Sequence, residues 1–215
     1  MSDSDFSFAD LKASVVTVFL VLPPDRLDTY SRWLRLLLAG SLTDMARADA
    51  KPARPVLYLL DEFAALGRLQ PIERAMGLMA GYGLQLWPIL QDIHQLRALY
   101  GEKAGTFLSN AGVLQAFGVN DFETADILSR IIGKTTVEYE TTGDSESHFG
   151  LLGPVTSSDS RSRHIAARNL IDPNEIMKLR DREQLLMIAG KDPLIVQKLR
   201  FYEDREFAGV FDGIH

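Results

Sequence analysis

The sequence predicts an α/β fold, with a mostly parallel sheet flanked by helices. Three observations support this. Short runs of β-branched and aliphatic residues alternate with longer stretches of helical periodicity. The first two runs are apolar almost without interruption, the pattern of strands covered on both faces. The runs are spaced by helix-length segments, and such βαβ crossovers make neighbouring strands parallel. A chain of 215 residues that is 46% hydrophobic and 24% charged has the composition of a folded domain, which excludes global disorder.

The elements follow in order. Val15 to Leu22 (VVTVFLVL) reads as a strand buried on both faces, stopped by Pro23-Pro24. Asp25 is placed to cap a long amphipathic helix in which Leu27, Tyr30, Leu34, Leu37, Leu38, Leu42 and Met45 recur, ending near Arg47. Val56 to Leu60 (VLYLL) is a second buried strand that ends abruptly in Asp61-Glu62. A helix through Leu69, Ile72, Met76 and Met79 is closed by Gly81-Tyr82-Gly83. A strand over Leu84 to Leu90 follows, weakened by Pro88, which cannot donate to a ladder. Helical sequence runs from Gln91 to about Leu108 with a break near Gly101. Val113 to Phe117 is a short strand, Phe122 to Ile132 a helix and Thr135 to Tyr139 a strand. Residues 141–163 are rich in Ser, Thr, Gly and Asp and read as a mobile surface loop. Asp172-Pro173-Asn174-Glu175 opens a helix, with Pro173 suited to its first turn. Two strands, Gln184 to Ala189 and Leu194 to Phe201, are expected to pair across Gly190-Lys191-Asp192-Pro193. The expected organisation is residues 1–140 as the main α/β part, the loop 141–163, and residues 164–215 completing the same domain.

Composition removes several functions. Lys and Arg total 23 against 29 Asp and Glu, a net charge of −6, so no bulk cationic field advertises nucleic acid and any such contact is local. Without cysteine there is no disulfide scaffold, thiolate zinc site, iron–sulfur cluster or cysteine nucleophile. The apolar run at Val15 falls far short of the ~20 residues needed to cross a bilayer. The acidic start Met1-Ser2-Asp3-Ser4-Asp5 is unlike a signal peptide, so a cytoplasmic chain is expected.

One motif carries chemistry. Val56-Leu57-Tyr58-Leu59-Leu60-Asp61-Glu62 delivers two carboxylates to the C-terminal end of a strand, the edge at which open α/β sheets bind ligands. An aspartate there can hold Mg²⁺ through water while its neighbour polarises a nucleophilic water, the Walker B arrangement. The alternative is that both acids merely face solvent or cap the next turn; the heptad alone leaves the two readings open.

The segment Arg54 to Gly101 closely resembles the type IV secretion coupling proteins, the TraG/TraD-type conjugative DNA-transfer ATPases. The matching features are the strand ending in Asp61-Glu62-Phe63 and a later strand ending in glutamine, at Leu90-Gln91-Asp92-Ile93-His94-Gln95-Leu96. The likeness continues through Phe107–Gly112, Phe117-Gly118-Val119-Asn120-Asp121, Ser129–Thr136 and Arg168–Ile176. The resemblance implies a RecA-like P-loop NTPase fold, ATP and Mg²⁺ as ligands, Asp61 as the carboxylate on the Mg²⁺ side, and Glu62 as the activator of the attacking water. It implies Gln91 as a sensor of the γ-phosphate or that water, a role suited to an amide, which both donates and accepts; the alternative for Gln91 is a helix-cap side chain. Gln95, one turn on, reads as structural, and His94 as a surface or packing residue.

The sequence also departs from that family. Gly133-Lys134-Thr135 looks like the end of a P-loop, but position 128 is Leu where the motif needs Gly, and the segment leads from helix to strand. No other G-x-x-x-x-G-K-[ST] occurs, so the resemblance is to the C-terminal portion of the motor, a partial RecA-like domain lacking the Walker A strand and loop. That portion alone is expected to be inactive, since the backbone cradle and lysine that hold the triphosphate are missing. In RecA-like motors the P-loop strand lies between the strands read here at Leu84 and Val113, so both would be left with an open edge.

Ring motors often complete a site with a neighbour's arginine, and Arg161, Arg163 and Arg168 are candidates, each with the alternative of a solvated loop charge. Arg130 reads as structural. Trp33 and Trp87 read as core or interface residues, and no basic stripe with interleaved aromatics forms a stacking platform. The resemblance alone implies a homo-hexamer, single-stranded DNA, a relaxase, secretion-channel components and the cytoplasmic side of the inner membrane. The leading reading is thus the C-terminal part of a coupling ATPase that moves DNA–relaxase or protein substrates to a secretion channel. The rivals are an inactive remnant or interaction module that docks to coupling-protein rings or substrates, and a chromosome-segregation translocase, against which the motif order speaks.

Overall fold

The computed structural model describes residues 6–147 and 156–210. By internal contacts the chain divides into two compact units, 1–115 with 186–192, and 116–185 with 193–215.

In the first unit, helix α1 (Leu27–Arg47) follows a single 3₁₀ turn, Pro24–Arg26. Asp25 lies in that turn beside Arg26, 3.9 Å away, and does not cap α1, whose N-cap is Arg26 without a side-chain bond. The inner face of α1 buries Leu38, Leu42 and Met45. Strand β1 (Val56–Leu60) pairs in parallel with β2 (Leu84–Pro88), with Val56 opposite Leu84 and Leu60 opposite Pro88. Between them run a 3₁₀ turn, Phe63–Leu66, and α2 (Gln70–Leu78), which buries Ile72 and Ala75. Gly83 enters β2 with φ +77°, and a Cβ there would lie 2.7 Å from the ring of Pro52, so only glycine fits this entry. Helix α3 (Ile93–Tyr100) and α4 (Ala104–Ser109) are separated by the 3₁₀ turn Gly101–Lys103, at the expected break. Strand β3 (Val113–Ala116) lies beside the end of β6 (Glu183–Ile188), where the N–H of Ala189 donates to Gly112 O at 3.0 Å.

One expectation fails here. Val15 to Leu22 forms no strand and has no strand partner among the described residues, and Val15, Phe19 and Val21 are largely exposed. Trp87, read as a core or interface residue, is half exposed. The β1–β2 pair buries Leu60 and Leu84 on one face, while Leu57, Leu59 and Trp87 on the other are about half exposed. β2 and β3 are in different sheets, each with a strand on one side only among the described residues.

An ion pair ties α2 to the turn before α4. Lys103 Nζ lies 2.6 Å from Glu73 Oε1, and this hydrogen bond holds the Glu73 carboxyl below its ordinary pKa. A depressed carboxyl contributes stability above its unfolded pKa and loses it as pH falls through the folded one. Glu73→Gln is therefore expected to lower the urea midpoint at pH 7, and the gap to the parent should close on acidification below the glutamate range. A gap independent of pH would assign the effect to something other than this charge.

In the second unit, α5 (Phe122–Ile132) starts at Asp121, whose carboxylate accepts from the N–H of Thr124 at 2.8 Å. It buries Ala125, Leu128 and Ser129, and the Ser129 hydroxyl donates to Ile171 O at 2.6 Å. Helix α6 (Pro173–Ile176) carries the expected start, a reciprocal capping box between Asp172 and Glu175. β7 (Leu194–Gln197) lies beside the opening of β6, Lys198 N–H donating to Arg182 O at 2.7 Å. The segment expected as a loop, 141–163, is different in its described part. β4 (Lys134–Ser147) and β5 (Thr156–Asn169) form an antiparallel pair from Lys134–Asn169 to Ser147–Thr156. The pairing uses backbone groups that every residue but proline carries in full, so Ser- and Thr-rich composition conceals it.

Candidate active site

The parallel ladder between β1 and β2 makes this site. Ile89 N–H donates to Leu60 O at 2.9 Å, the last regular rung. Parallel pairing would next bring the N–H of Glu62 to Ile89 O; instead Phe63 N–H takes that acceptor, at 3.1 Å. One residue has been inserted, a bulge at the strand end, and the inserted residue is Glu62. It is the sole non-glycine residue with positive φ among those described, at φ 47° and ψ 42°. Its displaced N–H finds the Asp61 carboxylate, Oδ1 at 3.0 Å. Asp61 and Glu62 both remain exposed while Phe63 is fully buried.

Phe63 fastens this turn. Its ring stacks on Tyr100 at 6.1 Å between centroids and meets Phe107 at 6.0 Å. Tyr100 in turn accepts the Leu69 N–H at 3.1 Å, and burial pushes its phenol pKa up. The left-handed residue turns the chain so that two acids face solvent and the third side chain enters the core.

The sequence-predicted glutamine arrives at the same edge. After Ile89 the chain leaves β2, and Gln91 Nε2 lies 3.4 Å from Glu62 Oε2, a long hydrogen bond. Asp61, Glu62 and Gln91 are thus brought together, within one unit, on an accessible surface. Oxygen donors of this kind suit Mg²⁺, which binds through one or two carboxylates and keeps its waters. No group of three or more His, Cys, Asp or Glu among the described residues forms a closed metal cage.

Gln95, read from the sequence as structural, also touches the site. Its Oε1 accepts the backbone N–H of Gln91 at 3.2 Å, and its own N–H donates to Asp92 Oδ1 at 2.9 Å. Asp-x-x-Gln is a capping-box spacing, which was the signal available.

The arginine candidates belong to the second unit. Arg168 faces carboxylates, 3.4 Å from Glu175 and 3.7 Å from Asp172. Arg161 and Arg163 stand on β5 opposite Thr142 and Glu140. Arg130 is paired with Asp126 one turn back on α5. Gly133 ends α5 and Lys134 opens β4, so Gly133-Lys134-Thr135 leads from helix to strand, as the dismissal of a P-loop required. No helix among the described residues is long and apolar enough to cross a membrane.

The strain at Glu62 is measurable. A left-handed residue with a Cβ costs on the order of 1 kcal/mol, which glycine does not incur. Glu62→Gly is expected to raise the unfolding free energy by about 1 kcal/mol in urea denaturation; a decrease would show that the carboxylate's contacts outweigh the strain.

With this geometry in view, the likeness to known proteins is specific. A family model described as type IV secretory system conjugative DNA transfer matches residues 1–211. The chain is 35% identical over 196 residues to a probable conjugal transfer protein TraG of Sinorhizobium fredii, covering 90% of this chain and 30% of that protein. It is 32% identical over 214 residues to protein VirD4 of Rhizobium rhizogenes, covering 98% of this chain and 31% of that protein. The chain thus spans about a third of the length of these relatives. Among solved structures, the bacterial conjugative coupling protein TrwB lacking its N-terminal 70 residues, in its sulphate complex, superposes with a TM-score of 0.71 at 21% identity. That match covers 92% of this chain and 44% of the other. TrwB with ADP and Mg²⁺ gives 0.69 at 20% identity, covering 92% of this chain and 43% of that one.

Proposed function

Because this chain belongs to the type IV secretory system conjugative DNA transfer family, we propose that it is the water-activating part of a coupling ATPase motor. The observation that carries this reading is the bulge that presents Asp61 and Glu62 beside Gln91. Asp61 and its waters would hold the Mg²⁺ that accompanies ATP, and the ion supplies charge neutralisation on the phosphates. Glu62 takes the proton of the attacking water, and its exposed carboxylate is free to receive it. Gln91 can donate to that water or to a phosphate oxygen with the same Nε2 that now rests on Glu62.

The 215 residues contain no G-x-x-x-x-G-K-[ST], so in this reading the triphosphate cradle comes from another segment, in the same polypeptide or from a split partner. The exposed apolar residues Val15, Phe19, Val21, Leu57, Leu59 and Trp87 support that dependence, because a parallel sheet is ordinarily covered on both faces. The same residues also favour the second reading, an inactive module that docks to coupling-protein rings. Substrates would be those of the motor: a relaxase with single-stranded DNA, or secreted proteins, passed through a hexamer at the cytoplasmic face of the inner membrane. Phosphate release by the motor assembled with its P-loop segment, with Glu62 intact and replaced, separates the two readings. An ATPase loses turnover, while a docking module never contributed any.

A further inference from the structure

We propose that Gln95 is a positioning residue for Gln91, holding the sensor glutamine against Glu62; this rests on the ATPase reading above. Gln91 lies between two fixed points. Upstream, Ile89 is bonded on both sides of the bulge, to Leu60 and to Phe63. Downstream, Asp92 caps α3. Between them the Gln91 N–H has no carbonyl to meet, since the ladder has ended and the helix has not begun. Gln95 Oε1 supplies that acceptor at 3.2 Å, while the Gln95 N–H closes on Asp92 Oδ1 at 2.9 Å.

In an ordinary capping box the third helical residue reaches back to the N-cap's own N–H. Here the side chain reaches one residue further, past Asp92, and takes hold of Gln91 itself. The donor is a backbone N–H, so the amide must present its oxygen, which fixes its orientation. Gln95 is itself half-buried. The helix cap and the site are therefore one hydrogen-bonded chain: Asp92 to Gln95, Gln95 to Gln91, Gln91 to Glu62. A small displacement of Gln91 would separate an Nε2–Oε2 contact that is already 3.4 Å.

Gln95→Met keeps the volume and removes the acceptor, and Gln95→Glu restores an acceptor oxygen. In the assembled motor, Gln95→Met is expected to lower kcat about tenfold with KM for ATP unchanged, and Gln95→Glu to recover most of that loss. In the 215-residue chain, amide exchange by NMR should show Gln91 N–H losing protection in Gln95→Met while the amides of Leu96 and Arg97 keep theirs. Unchanged Gln91 exchange, or unchanged kcat beside a Gln91→Ala variant that loses turnover, overturns the role of Gln95 and leaves the site reading standing. Unchanged turnover in Gln91→Ala overturns both. Loss of protection throughout α3 would mark Gln95 as a folding residue and overturn positioning.

Discussion

Replacing Glu62 by glutamine in the assembled motor is expected to reduce phosphate release by about 10² to 10⁴-fold, the range for loss of a general base. The substitution is nearly isosteric, and its amide oxygen can still accept from Gln91 Nε2, so the bulge and its contacts have no reason to change. What disappears is the basicity that draws a proton from water. Nucleotide affinity should be unaffected, because Glu62 in this reading addresses the water and not the phosphates. Release of phosphate under saturating ATP, paired with a binding measurement, checks both halves. Turnover within a few-fold of the parent would remove Glu62 from the chemistry and leave the docking reading in its place. Gly at the same position is instructive beside it: it too deletes the base, yet it is expected to stabilise the chain. Loss of activity with gain of stability in one variant would mark the left-handed bulge as a feature kept for function.

Phe63→Ala should have the largest effect on stability, a loss of about 3–5 kcal/mol in urea denaturation. The ring is fully buried, stacked on Tyr100 and in contact with Phe107, so truncation leaves a cavity beside the two remaining aromatic rings. It also releases the downstream anchor of the bulge. The Phe63 N–H could still reach Ile89 O and the Glu62 N–H could still reach Asp61 Oδ1, but the turn that keeps Glu62 at positive φ would lose its buried anchor. A loss below about 1 kcal/mol would show that the aromatic cluster does not govern the stability of this unit. Phe63→Leu, which refills part of the volume, should lose less stability than Phe63→Ala and keep most of the bulge geometry.

Much of this was legible in the order of residues. β1, β2, α2, α5 and the capped start of α6 fall where hydrophobic periodicity and the Asp-Pro-Asn-Glu signal place them. These signals are local, since a strand or helix records in its own side chains which face is to be buried. Asp61 and Glu62 stand out locally because they follow directly on an apolar strand, whereas Gln91 was indicated by the family resemblance. Where the reading failed, the deciding partner was far away in the chain. Val15 to Leu22 has a strand's composition, but a strand needs a neighbour. Residues 141–147 and 156–163 have a loop's composition, yet pair through the backbone.

By itself, then, the order of residues determined the family, the alternation of helices and strands, and the three polar side chains at one β-edge. The tertiary structure alone decided that Glu62 is an inserted residue held at positive φ, and that Gln95 reaches Gln91. The physical reason is that burial preference is written into each side chain. A shifted rung or a borrowed acceptor depends on which backbone groups are left without partners once distant segments meet.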